Sequence, residues 1–193
     1  MSGFFGTQTE LLYSFYGAAT TSTPTTSPGS SITLTYPAIV IPGGIMGSVG
    51  SRSSSLRLEI GGLMTATATI PTWQFFLYLT TTNAFGTTLT LGSTGTFTPT
   101  AQTSAPWTSS IRIGLRTLAL GGASTVLAQG SFTSIGFPTA TFGIVPLPAS
   151  GAITPLATWA SDQQYFLWPA LSLSAATAGN TVTTEYLTLA GED

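Results

Sequence analysis

In SSLRLEIGGLMTATATI, residues 54–70, Arg57 and Glu59 stand one residue apart in a chain with four cationic and six anionic side chains. The pair is either the start of a catalytic site or the outer face of a strand. Glycoside hydrolysis would need a second carboxylate at a fixed separation from the first. Glu10, Asp162, Glu185, Glu192 and Asp193 are the candidates, and no motif ties any of them to Glu59. A Ser or Thr nucleophile would need a base, and the chain has no His and no Lys. It has no Cys either, which removes thiol chemistry, disulfides and zinc–cysteine sites. The glycines of GGLMTA and GGAS read as β-turn residues, not as a phosphate loop opening a helix. No enzyme, cofactor or metal site is expected.

On a strand, Arg57 and Glu59 point to one face while Leu56, Leu58 and Ile60 point to the other. This predicts an inner apolar face and an outer face carrying solvated or cross-strand-paired charges. SSIRIGLRTLAL, residues 109–120, repeats the pattern. Ile111, Ile113 and Leu115 share one face; Arg112, Gly114 and Arg116 share the other, where the two arginines are candidate partners for Glu59. An exposed pair of this kind contributes about 0–1 kcal/mol and at an interface sets register more than affinity. Trp73 and Trp168 lie within strand patterns and read as core. Trp107, in SAPWTSS, and Trp159, in LATWASD, lie near strand starts, where they either plug the ends of the domain or form an aromatic platform for a sugar.

The elements that must position these residues are strands. SITLTY, SLRLEI, WQFFLYLT (73–80), TTLTLGSTGTF, SSIRIGLRTLAL, TVLAQGSFT, ATFGIV, YFLWPALSLS and TVTTEYLTL are separated by Gly, Pro, Asn and Ser. About eight to nine short strands with such punctuation predict an all-β antiparallel sandwich. The strand count also fits an immunoglobulin-like sandwich or a closed barrel. Residues 1–30 read as an extended N-terminal arm and linker, and 31–193 as a single β-sandwich domain. TQTELLYSFYG within the arm is predicted to form a short helix stopped at Gly17. Phe4, Phe5, Leu11, Leu12, Tyr13, Phe15 and Tyr16 have no core of their own in this reading. They either fold back over the domain edge or dock on a neighbouring subunit; the second reading is preferred and makes them candidate interface residues, with Arg57, Glu59, Arg112 and Arg116.

Charged residues are 5% of the chain, against about 25% in ordinary soluble domains. Four scattered arginines cannot supply the basic stripe that a nucleic-acid partner demands. No apolar run approaches the ~18–20 residues of a spanning helix, and no basic region opens a secretory signal. A membrane β-barrel fits the strand count, but nothing supplies the charged lumen or long polar loops that such barrels usually show, so neither nucleic acid nor membrane is an expected partner. So uncharged a surface predicts poor colloidal stability for the isolated protein. Coverage by protein partners resolves that, and Arg in place of Lys is the usage of interfaces.

The blocks SSLRLEIGGLMTATATIPTWQFFLYLTT and SAPWTSSIRIGLRTLALGGASTVLAQG, within residues 54–130, resemble structural proteins of tailed bacteriophages. The shared order is an Arg-bearing strand ending in Gly, a Thr-rich turn, a strand ending in Leu-Tyr, Ala-Pro-Trp, a second Arg-bearing strand and Ala-Gln-Gly. TATATIPTWQF stands where that group has a more Gly-rich turn. The resemblance is to small β-sandwich virion proteins of actinobacterial phages, head decoration or minor capsid proteins. It implies a jelly-roll-like sandwich and a non-enzymatic capsid decoration (cement) protein. Such a protein would be made in the host cytoplasm and sit on the outer capsid surface of the virion. Its partner would be the major capsid protein, bridged by a homotrimer. The alternative is a phage tail or receptor-binding component with a carbohydrate-binding β-sandwich. A sugar site of that kind would expose Trp107 or Trp159 beside polar side chains in one concavity.

Overall fold

A computed structural model describes residues 9–22, 32–34, 36–46, 54–67, 72–86, 89–117, 124–135, 143–149, 157–174 and 179–192. Through them run β1 (Thr9–Ser22), β2 (Ile32–Leu34), β3 (Ile39–Ile41), β4 (Ser55–Ala66), β5 (Trp73–Thr80) and β6 (Leu89–Ser93). These are followed by β7 (Gln102–Thr117), β8 (Ser124–Ser134), β9 (Ile144–Leu147), β10 (Ala157–Trp159), β11 (Tyr165–Leu173) and β12 (Thr181–Glu192). No helix occurs among the described residues.

The strand pairing is nested and antiparallel throughout. β1 pairs with β12, β2 and β3 with β11, β4 with β7, and β5 with β6. First meets last, and so inward, as in one long ribbon. Rolling that ribbon up brings β12 beside β4 and β11 beside β5. The result is two sheets, β1-β12-β4-β7 and β2/β3-β11-β5-β6, and this winding is a jelly roll. β8 widens the first sheet at the edge of β7, and β9 and β10 pair with opposite ends of β8.

The core lies between the sheets and follows the two-residue period of each strand. Leu56, Leu58 and Ile60 of β4 face Trp73, Phe75 and Leu77 of β5 across the layer, all with no exposed surface. At one end Phe132 of β8 gathers three rings. Trp107 stacks on it at 5.2 Å and Phe97 at 5.4 Å, and Phe75 meets it tilted at 5.6 Å.

Two expectations are corrected here. The helix over TQTELLYSFYG does not form, and Thr9–Ser22 is not an arm outside the sandwich but an edge strand of the larger sheet. The alternation of Tyr13 and Phe15 against Ser14 and Tyr16 is a strand period. Tyr13 and Phe15 turn inward onto Tyr36, with ring centroids 6.3 and 5.1 Å away, and the Tyr13 and Tyr36 hydroxyls are 2.8 Å apart. The second correction concerns GGLMTA, whose glycines sit inside β4 and not in a turn. A bulge in β12 between Thr184 and Tyr186 presses the Thr183 carbonyl onto Gly62, and the Tyr186 ring lies over Gly61. A strand glycine where another backbone approaches closely is the expected device for such a contact.

Candidate functional site

Two outer faces carry the side chains of interest. On the seven-stranded sheet, Arg57 and Glu59 do share the outer face, as their spacing predicts. β12 brings Glu192 beside them. Arg57 Nε lies 3.5 Å from Glu59 Oε1, and Arg57 Nη1 lies 3.4 Å from Glu192 Oε1. Arg112 sits directly across from Arg57 in the β4–β7 register, and its Nε is 3.6 Å from Glu192 Oε2. Arg112 therefore pairs with Glu192, not with the Glu59 that the sequence put forward. Its Nε also donates to Ser55 Oγ at 3.0 Å, while Ser110 Oγ donates to Glu59 Oε1 at 2.7 Å. This network ties β12, β4 and β7 together across their outer face.

Tyr186 borders the same network. Its phenol is pushed above the ordinary range by burial, then by the neighbouring Glu59 charge and by Tyr16. Of the other proposed interface residues, Leu11 and Tyr16 are exposed, at 62% and 72%, on the outer side of β1. Leu12, Tyr13 and Phe15 are partly buried and pack against the core of their own sandwich. Phe4, Phe5 and the Arg116 side chain lie outside the described residues, as do Arg52 and Asp193. Among the described residues no group of three His, Cys, Asp or Glu side chains gathers where a metal could bind.

The tryptophans singled out as a sugar platform are buried. Trp107 and Trp159 are each 1% exposed. Their indole N–H groups donate to the carbonyls of Thr183 and Met46, and Trp159 stacks on Tyr165 at 4.3 Å. They plug the sandwich, and a platform built on them is excluded. Trp168 is the one that departs from the core reading, because it faces away from the inter-sheet layer.

The five-stranded sheet carries aromatic and aliphatic side chains on both faces. Trp73, Phe75, Leu77 and Leu79 of β5 point into the inter-sheet core, so Phe76 and Tyr78 point outward. On β11, Leu167 and Leu171 point inward, while Phe166, Trp168 and Ala170 point outward. Trp168 is registered against Tyr78, and Phe166 against Val40 of β3. Phe76 stacks on Tyr78 at 5.4 Å, and Phe85, from the connection after β5, stands nearly perpendicular to both Tyr78 and Trp168. Thr80 Oγ1 accepts from Trp168 Nε1 at 2.8 Å and donates to the Thr82 carbonyl at 2.6 Å, fixing the indole and hooking the connection to the sheet. Burial raises the Tyr78 phenol above its ordinary value. Val40 and Phe85 remain 42% and 36% exposed, with Phe76 partly so. No charged residue occurs on β3, β5, β6, β11 or the 81–86 connection.

No family model matches the chain, and no curated protein matches it. Among solved structures it is similar to the CBM2 module of the evolved Dit of Lactobacillus casei BL23 phage J-1. The two share 13% identity over 96% of this chain and 97% of that one, with a TM-score of 0.39. That module belongs to a phage protein; a likeness at this level carries neither a function nor a location to the present chain. Reading the aromatic residues as members of one core hides this outer face. Its signal is present all the same. WQFFLYLT and YFLWPALSLS lack the polar alternation of a strand with one wet face.

Proposed function

We propose that this protein is a non-enzymatic component of a bacteriophage tail or receptor-binding assembly, whose jelly roll binds carbohydrate through the outer face of the five-stranded sheet. The observation that carries the reading is that face itself. Phe76, Tyr78, Phe85, Phe166 and Trp168 gather on it, and the strands and connection that carry them hold no charged residue. Val40 and Phe85 are exposed and Phe76 partly so, and an apolar patch left on the surface in this way is the mark of an interaction site. Aromatic rings flanked by Thr and Asn suit the apolar face and hydroxyl rim of a sugar. The resemblance of residues 54–130 to phage structural proteins supports the virion setting.

The decoration reading comes from the phage resemblance; the arm that it would extend onto a neighbouring subunit pairs instead, over Thr9–Ser22, with β12 of its own sandwich. The deciding experiment is cosedimentation of the purified protein with host cell walls and, separately, with undecorated heads of the same phage. The expected result is retention on cell walls that Phe76→Ala weakens. Retention on heads alone overturns the reading in favour of a cement protein that bridges the major capsid subunits.

A further inference from the structure

Phe85 is the one aromatic of the outer cluster that no strand holds. It belongs to the connection 81–86, in which every residue is exposed. Space is open around Gly86 next to it, where an added Cβ would meet nothing within 4 Å. Beneath it, Tyr78 and Trp168 keep only 5% and 7% of their surface exposed, although both stand on the outside of the sandwich. The Phe85 ring centroid is 5.6 Å from Tyr78 and 5.7 Å from Trp168, at interplanar angles of 76° and 66°. In such perpendicular contacts the hydrogens of one ring meet the negative π face of another. A pyranose ring makes the same kind of contact, because its axial C–H bonds present weakly positive hydrogens over a similar area.

We propose that Phe85 is a displaceable cover, and that the floor of Tyr78 and Trp168 takes one neutral sugar ring in its place. This rests on the binding reading above and adds the site, the ligand chemistry and the control. The floor is rigid, since the Trp168 N–H is already bonded to Thr80. It offers no counter-charge, so a charged sugar or an acidic peptide gains nothing there, whereas a neutral ring loses nothing. The hydroxyls of Thr81 and Thr82 and the amide of Asn83, all on exposed residues, lie along the connection that would form the rim. With Phe85 in place the site is closed, and apparent affinity falls by the fraction of molecules that are open.

Phe85→Ala separates the outcomes. Trp73, Trp107 and Trp159 have at most 1% of their surface exposed, so acrylamide quenching of tryptophan fluorescence reads Trp168. The expected result is a clear rise in quenching for Phe85→Ala, absent when Trp168→Phe is added. Binding to immobilised neutral hexasaccharides of glucose, galactose and N-acetylglucosamine should tighten about tenfold for at least one of them, and that sugar should suppress the added quenching. Sugar binding that Phe85→Ala leaves unchanged or weakens overturns the cover while leaving the binding module intact. Failure of Phe85→Ala to bind any of the three sugars overturns the neutral-sugar site, and the cell-wall experiment then tells whether the module reading falls with it.

Discussion

Gly61 and Gly62 are adjacent in β4, yet they are glycine for different reasons. At Gly61 a Cβ would fall 2.5 Å from the hydroxyl end of Tyr186, a partly exposed side chain that can swing away. At Gly62 it would strike the carbonyl of Thr183 in the bulge of β12, where backbone on both sides is fixed by the ladder. Overpacking costs typically 1–3 kcal/mol, and most where nothing can yield. Gly61→Ala should therefore cost about 1 kcal/mol and Gly62→Ala about 3 kcal/mol or more, read as midpoints of urea unfolding. Equal costs at the two positions would mean that the bulge does not press on β4. The charged residues beside them follow surface rules instead. Arg57 and Arg112 face one another across two strands, and Glu192 offsets both, so the network sets register at a modest energy.

At the scale of the element, β1 decides how the first part of the chain is used. It is joined to the sheet along β12 and fastened from inside by Tyr13 and Phe15 on Tyr36. Removing a partly buried ring from such a contact costs about 2 kcal/mol, whereas truncating an exposed one costs within about 0.5 kcal/mol. Phe15→Ala should thus destabilise the isolated protein, and Tyr16→Ala should leave it nearly unchanged. An arm that docks only on a neighbouring subunit would show no loss for either substitution in the monomer. Chemical denaturation below the concentration at which copies associate makes the comparison.

For the whole molecule, the scarcity of charge leaves tyrosine as the prominent titrating group at alkaline pH. Tyr36 is raised by burial first, then by the Tyr13 hydroxyl bonded to it; Tyr78 is raised by burial; Tyr186 by burial and by Glu59. A phenol with a raised value in the fold stays protonated there after it has ionised in the unfolded chain. Its stabilising contribution is complete below the ordinary value of 10.0 and is lost as pH rises from there through the folded value. Unfolding midpoints should fall steeply above pH 10, and Tyr36→Phe should flatten that fall. An unchanged slope in Tyr36→Phe would show that the hydroxyl pair is not what titrates. The same uncharged character gives the molecule two contrasted outer faces, one laced by four charged side chains and one carrying Phe76, Tyr78, Phe166 and Trp168.

Sequence alone determined the all-β class, because Leu56, Leu58 and Ile60 against Arg57 and Glu59, and Ile111 and Ile113 against Arg112, carry the strand period in the local chain. The strand over 73–80 is legible from its run of aromatic residues instead, which favour strands. Tertiary structure alone decided that β1 forms an edge of the larger sheet and that Gly61 and Gly62 lie within a strand. It also decided that Glu192 is the partner of Arg57 and Arg112. Each depends on which distant strand comes alongside, and pairing between the first and last strands of a rolled ribbon leaves no trace in local spacing. The aromatic face lay between these cases. The loss of alternation in β5 and β11 announces two apolar faces, but only the closure of the sandwich tells which face is core and which one Phe85 covers.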